Sequence, residues 1–177
     1  MNIILVGMMG AGKSAVGRLL AERLGRPLID TDALVEQQAG MSIPEIFAAE
    51  GEAGFREREA AVLAAVAAGA DQVIATGGGA VLRPANREAL RASGLVIWLY
   101  APPEALYHRA KAQGVERRPL LAGADPLERL QALANEREAA YQAAAHLRVE
   151  TDRLPLVAVV EQILAAVAEA EGEKRFG

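Results

Sequence analysis

Gly7-Met8-Met9-Gly10-Ala11-Gly12-Lys13-Ser14 fits the spacing Gly-x-x-x-x-Gly-Lys-Ser. Glycines at these positions let successive backbone N–H groups curl toward an anion. A helix that starts at Lys13 adds the partial positive charge of its N-terminus. The Lys13 ammonium can bridge the β- and γ-phosphates of a nucleotide, and the Ser14 hydroxyl can ligate Mg²⁺. Such a pattern has mechanistic meaning only between a strand and a helix. The apolar run Ile3-Ile4-Leu5-Val6 precedes it, and the helical pattern Val16-Gly17-Arg18-Leu19-Leu20 follows.

Four further groups carry chemistry. Asp30-Thr31-Asp32 closes a second apolar run, and a spacing of two puts both carboxylates on one side of an extended chain. One can hold Mg²⁺ through water, and the other can accept a proton from a substrate hydroxyl. Asp32 can also cap the following helix without losing that role. In Phe55-Arg56-Glu57-Arg58-Glu59, Arg56 can form a bidentate pair with a carboxylate, although Arg and Glu interleaved on a helix also suit a solvated face. Arg137, between Glu136 and Glu138 and four residues before Tyr141, has the same two readings. Thr76-Gly77-Gly78-Gly79 follows a third apolar run, and three glycines there let backbone come close to a ligand. His108 and His146 lack metal-ligand spacing. Aspartates combined with several arginines suit an acceptor that is both hydroxylated and carboxylated. A GTPase needs no such site, and the Asn-Lys-x-Asp guanine-reading motif is missing.

The elements that must position these residues alternate. Apolar runs at Asn2–Val6, Pro27–Asp30, Gln72–Thr76, Leu95–Tyr100 and Leu147–Glu150 are mostly unbroken, as in buried parallel strands. Helical patterns occupy Lys13–Leu24, Ala33–Gln38, Ile43–Ala49, Phe55–Ala68, Pro84–Ala92, Pro102–Ala112, Pro126–Ala144 and Pro155–Glu171. Ser42 and Glu45 have capping-box spacing. Alternation of this kind builds βαβ units and a parallel sheet covered on both faces. Between two helices, Gln113–Ala124 holds Arg117-Arg118-Pro119 between Gly114 and Gly123, the make-up of a lid over a phosphate site.

The chain has 177 residues, 52% of them apolar, enough for one domain with a sizeable core. A net charge of −4 leaves no basic footprint for nucleic acid, so anionic ligands must be drawn by local arginines. The absence of cysteine excludes disulfides and thiolate chemistry and fits a reducing compartment. The chain enters its first strand at once, read here as leaving no room for a signal peptide, and no apolar run reaches membrane-span length. A cytoplasmic enzyme with no membrane partner is expected.

Six motifs in order make the chain resemble shikimate kinases nearly end to end. They are the phosphate loop, Asp30-Thr31-Asp32, the set Phe55, Arg56 and Glu59, the triplet Gly77-Gly78-Gly79, Arg118-Pro119-Leu120-Leu121, and Arg137 with Tyr141. The resemblance implies a doubly wound α/β fold of the nucleoside monophosphate kinase type, with five parallel strands in the order 2-3-1-4-5. It implies a single domain over 1–177, with a substrate-binding helical segment at about 32–60 and a lid at about 113–124. The implied reaction is ATP-dependent phosphorylation of the 3-hydroxyl of shikimate by a monomer. ATP would be held by Gly10, Ala11, Gly12, Lys13, Ser14 and Ala15, with Arg109, Arg118 and Arg153, and Mg²⁺ by Ser14 and Asp30. Shikimate would be held by Asp32, Arg56, Gly78, Gly79 and Arg137, with Lys13, Asp32 as base and Arg118 catalytic. Two alternatives stand beside this reading: a kinase for another hydroxy acid such as gluconate, and a nucleotide-binding module without turnover.

Overall fold

Four residues with no exposed surface, Ile3, Ile4, Leu5 and Val6, form the axis of the fold. Covering a side chain of this kind stabilises by about 1.5–3 kcal/mol, so an unbroken apolar strand is driven to the middle of a sheet. The computed structural model describes residues 1–112 and 125–176. In it β1 (Asn2–Val6) lies between β3 (Val73–Ala75) and β4 (Gly94–Tyr100), with β2 (Leu28–Asp30) and β5 (Leu147–Glu150) at the edges. All pairings are parallel and the order is β2-β3-β1-β4-β5, as the resemblance implied.

Helices α1 (Lys13–Leu24), α2 (Thr31–Ala39), α3 (Ile43–Ala67), α4 (Pro84–Ser93), α5 (Pro103–Ala112), α6 (Pro126–Ala144) and α7 (Leu156–Phe176) connect the strands. α1 packs on α7, while α3 packs on α4 and α4 on α6. Most boundaries fall within a few residues of those expected. One junction bears on the site: the two helices expected over 43–49 and 55–68 meet at Gly51, whose φ 71° and ψ −177° are non-helical, so α3 is two helical segments joined at a kink. Only glycine takes that backbone conformation at little cost, and the chain changes direction there. Among the described residues no helix is long and apolar enough to cross a membrane. The expected lid Gln113–Ala124, with Arg117 and Arg118, lies outside the described residues.

The edge strand β5 is anchored by an imidazole. His146 N–H donates to the Val96 carbonyl at 2.8 Å, and the Val96 N–H donates to His146 Nδ1 at 3.0 Å, one step before the β4–β5 ladder begins. A protonated Nδ1 cannot accept that bond. Burial, and then the nearby Arg91 cation, hold the His146 pKa below its ordinary value of 6.5. The unfolded chain therefore takes up this proton first as pH falls. The stability contributed by His146 is complete above about pH 6.5 and is lost from there toward its lower folded value. Thermal unfolding of His146→Asn, whose side-chain oxygen can accept the same bond but does not titrate, checks this. The difference in midpoint between wild type and variant should shift in the variant's favour between pH 7 and pH 5. A constant difference refutes the role.

Candidate active site

The register of the sheet decides what meets at its carboxyl edge. β1 ends into the phosphate loop, β2 into Asp30-Thr31-Asp32 and β3 into Thr76-Gly77-Gly78-Gly79. Two hydrogen bonds tie these ends together. Thr76 Oγ1 donates to the Leu5 carbonyl at 3.1 Å, and Gly77 N–H donates to the buried Thr31 Oγ1 at 3.2 Å. A cleft of about 350 Å³ opens over this edge.

Gly10, Gly12, Lys13, Ser14 and Ala15 line the cleft, and Ala11 is buried beneath the loop. Lys13 Nζ donates to the Gly7 and Met8 carbonyls at 2.7 and 2.9 Å, so the ammonium spans its own loop. Gly7, Gly10 and Gly12 have φ of 146°, 79° and 99°. At Gly7 and Gly10 a Cβ would also meet the Leu99 and Leu106 carbonyls.

Asp30 caps α2: its Oδ1 accepts from Asp32 N–H at 3.0 Å and Ala33 N–H at 3.2 Å. The cap is therefore Asp30, and Asp32 sits in the first turn. Both line the cleft. Ser42 N–H and Oγ–H both donate to Glu45 Oε2 at 2.7 Å, fixing the start of α3. From α3 come Ile43, Pro44, Phe47 and Phe55, an apolar wall whose two phenyl centroids are 5.0 Å apart.

Beyond that wall lie Arg56, Glu59 and Arg137. Arg56 on α3 is half-buried beside Glu59, which is 1% exposed, and Arg137 on α6 is 2% exposed, so neither arginine is a freely solvated one. Arg56 Nη1 donates to Glu59 Oε2 at 2.7 Å. Burial pushes the Glu59 carboxyl above its ordinary range, opposed by the Arg56 and Arg137 cations. Glu59 Oε1, Arg56 Nε and Arg137 Nε are buried without hydrogen-bond partners. Arg56 is paired with Glu59 and, at 3.2 Å, with the more exposed Glu52, while Arg137 Nε has no hydrogen-bond partner, so the two guanidiniums offer donors to an anionic group entering the cleft.

Tyr141 braces this cluster from behind. Its hydroxyl donates to the Gly78 carbonyl and its ring stacks on Trp98 at 5.6 Å. Burial pushes its pKa up to about 12, so it stays a neutral donor at any working pH. Glu59, Thr31 and the aromatic wall were given no role by sequence reasoning. The signal available was the i, i+3 spacing of Arg56 and Glu59, which became informative only with the burial of Glu59.

The glycine triplet has a different reason from close ligand approach alone. A Cβ at Gly79 would occupy the space of the Arg56 guanidinium, and one at Gly77 the space of the Asp32 and Glu59 carboxylates. Gly78 is looser, with Arg137 Nη1 at 3.4 Å from such a Cβ. Arg109 and Arg153 are outside the cleft lining. Arg109 is bonded to Gly10 and Thr151, and Arg153 is a 90% exposed side chain beside Asp152.

A family model described as shikimate kinase matches residues 9–168. A shikimate kinase of Symbiobacterium thermophilum is 64% identical over 174 residues, covering 98% of this chain and 99% of that protein. The structure of a shikimate kinase from Acinetobacter baumannii in complex with shikimate superposes with a TM-score of 0.90 at 41% identity, over 96% of this chain and 93% of the other. A gluconokinase of Sinorhizobium meliloti superposes with a TM-score of 0.56 at 20% identity, over 99% of this chain and 95% of the other, a likeness of fold alone.

The glycine geometry gives a graded expectation for stability. Gly77→Ala forces a methyl between two short carboxylate side chains, one of them buried, and overpacking of this kind costs about 1–3 kcal/mol. For a chain of this size that lowers the thermal midpoint by roughly 2–10 °C. Gly78→Ala should shift it by less than about 2 °C. Equal midpoints for the two variants would contradict the packing described.

Proposed function

The chain belongs to the shikimate kinase family, and we propose that its cleft performs that family's reaction, transfer of the γ-phosphoryl group of ATP to the 3-hydroxyl of shikimate. The observation that carries this is the continuity of one cleft from the phosphate loop to the half-buried Arg56 and the buried Arg137. Phosphate-loop N–H groups and Lys13 take the nucleotide, and Lys13 exchanges its loop carbonyls for phosphate oxygens when it does so. Mg²⁺ in kinase sites keeps waters and phosphate oxygens and needs few protein ligands. Ser14 and Asp30 on the cleft wall offer the hydroxyl and carboxylate chemistry it requires. Bound there, Mg²⁺ neutralises phosphate charge.

Helices α2 and α3 form the acceptor-binding segment. Arg56 and Arg137 hold the substrate carboxylate through their guanidinium N–H donors. The apolar wall of Ile43, Phe47 and Phe55 covers the carbon ring. Asp32, set at the cleft by the Asp30 cap and by Gly77, accepts the proton of the attacking hydroxyl. Gly79 contributes by leaving room for Arg56, and Gly78 by holding Tyr141. Arg118, whose role comes from the resemblance, would meet charge on the transferring phosphoryl group. Arg109 and Arg153 would serve the nucleotide from behind the loop. All these groups come from one chain, which supports a working monomer, and the cysteine-free sequence supports the cytoplasm.

ATP consumption with shikimate, and with gluconate and other sugar acids in its place, tests the substrate. Shikimate should exceed the others by orders of magnitude, and equal rates would return the acceptor to a broader class. Variants separate the roles. Lys13→Met should lose turnover and stay folded. Asp32→Asn should lower kcat by roughly 10²-fold or more, the range for a lost general base. Arg56→Lys and Arg137→Lys keep charge but lose the planar fork, so they should raise KM for shikimate more than they lower kcat. Gly79→Ala, which displaces Arg56 from the buried Glu59, should do the same and also lower stability. Arg118→Ala should lower kcat by roughly 10³-fold. If Arg117→Ala carries that loss instead, the catalytic arginine is its neighbour.

A further inference from the structure

The phosphate loop is held from behind by a residue with no part in the scheme above. Thr151 follows β5 and is 6% exposed. Its hydroxyl lies 3.0 Å from the Ala11 carbonyl and 3.2 Å from the Tyr100 carbonyl, and accepts from Arg109 Nη1 at 3.1 Å. Its N–H donates to the Tyr100 carbonyl at 2.8 Å, and its own carbonyl accepts from Arg109 Nη2. Tyr100 thus already has a backbone donor from Thr151. Ala11 is the nearer acceptor for the hydroxyl proton.

A trans peptide sets the carbonyl of one residue and the N–H of the next on opposite sides. Drawing the Ala11 carbonyl back toward Thr151 turns the Gly12 N–H the other way, toward the cleft that Gly12 lines and Ala11 does not. Gly12 has φ 99° and no side chain, so its own stereochemistry does little to fix that peptide plane. Arg109 adds a second hold on the same loop, donating to the Gly10 carbonyl at 3.4 Å.

We propose that Thr151 is a positioning residue for phosphoryl-donor binding: its hydroxyl fixes the Ala11–Gly12 peptide so that the Gly12 N–H is already aimed at a nucleotide phosphate. The residue acts through Ala11 and touches no substrate. Preset donors gain affinity because no ordering cost falls due on binding. The inference rests on the phosphate loop being the nucleotide site.

Calorimetric titration with MgADP, without shikimate, tests both levels. Wild type, Thr151→Val and Thr151→Ser are compared, and steady-state KM values for ATP and shikimate are measured alongside. Val keeps the shape and removes the hydroxyl, while Ser keeps the hydroxyl and removes a methyl. Thr151→Val should weaken MgADP binding and raise KM for ATP by roughly tenfold, the scale of one charge-assisted hydrogen bond. KM for shikimate should hold within about twofold of wild type, and Thr151→Ser should bind MgADP within roughly threefold of wild type. If Thr151→Val yields no folded protein, Thr151→Cys, whose thiol is a weak donor, should fall between Ser and wild type on one side and full loss on the other. Wild type that fails to bind MgADP overturns the nucleotide site itself. Wild type that binds, with Thr151→Val or Thr151→Cys binding equally well, overturns only the role of Thr151. So does an equal rise in both KM values, or a loss in Thr151→Ser as large as in Thr151→Val.

Discussion

The acceptor half of the cleft depends on one buried carboxylate. Glu59 is 1% exposed and would be far too costly to bury alone. Arg56 at 2.7 Å makes its burial possible, and Arg137 adds a second cation within electrostatic reach. A lone buried ion pair seldom adds net stability, because desolvation offsets the attraction. Here the arrangement is more useful as a template. Glu59 and Glu52 together fix the orientation of Arg56. The guanidinium donors are thereby held in a site walled by Phe47, Phe55 and glycine backbone. A chain with a net charge of −4 can in this way attract an anion, through a field that is local and directed.

That template constrains its surroundings. Gly79 must lack a side chain because the Arg56 guanidinium fills the space. Gly77 must lack one because Asp32 and Glu59 do. Gly78 is held in place by Tyr141, which sits one helical turn from Arg137 and stacks on Trp98 of the central sheet. The carboxylate cluster therefore communicates with the core through packing as well as through charge.

The fold and the nucleotide half were legible because their signals are local. An unbroken apolar run, Gly-x-x-x-x-Gly-Lys-Ser and a following helix lie within a couple of dozen consecutive residues. The acceptor half was legible in part: aspartates with several arginines pointed to a hydroxylated and carboxylated acceptor, but which of them meet is decided by contacts between distant segments. Arg56 and Arg137 read equally well as solvated helix faces until their place at the cleft is known. Asp30 rather than Asp32 caps α2 because the helix starts at Thr31, two residues before the expected start at Ala33. The break expected between the helices at 43–49 and 55–68 falls at Gly51, where a non-helical φ and ψ turn the chain between two helical segments. Arg109 was read from sequence as a nucleotide contact. In the structure its guanidinium is engaged by backbone, a role that side-chain type alone does not reveal.

The two halves of the cleft are built on different principles, and the chemistry explains why. Phosphates are generic ligands, so the donor half consists of backbone N–H groups whose directions must be preset, by Lys13 within the loop and by Arg109 and Thr151 from outside it. The acceptor must be chosen among many small hydroxylated acids, so its half consists of side chains whose guanidinium donors await the correct carboxylate. A preset donor side gives affinity without choice, and an acceptor side of buried and half-buried charged groups gives choice at the expense of stability. Both halves meet at the ends of β1 and β3, which pair directly along the sheet. The distance between donor and acceptor is therefore set by the most deeply buried part of the fold, and not by the helices and loops that select the ligands.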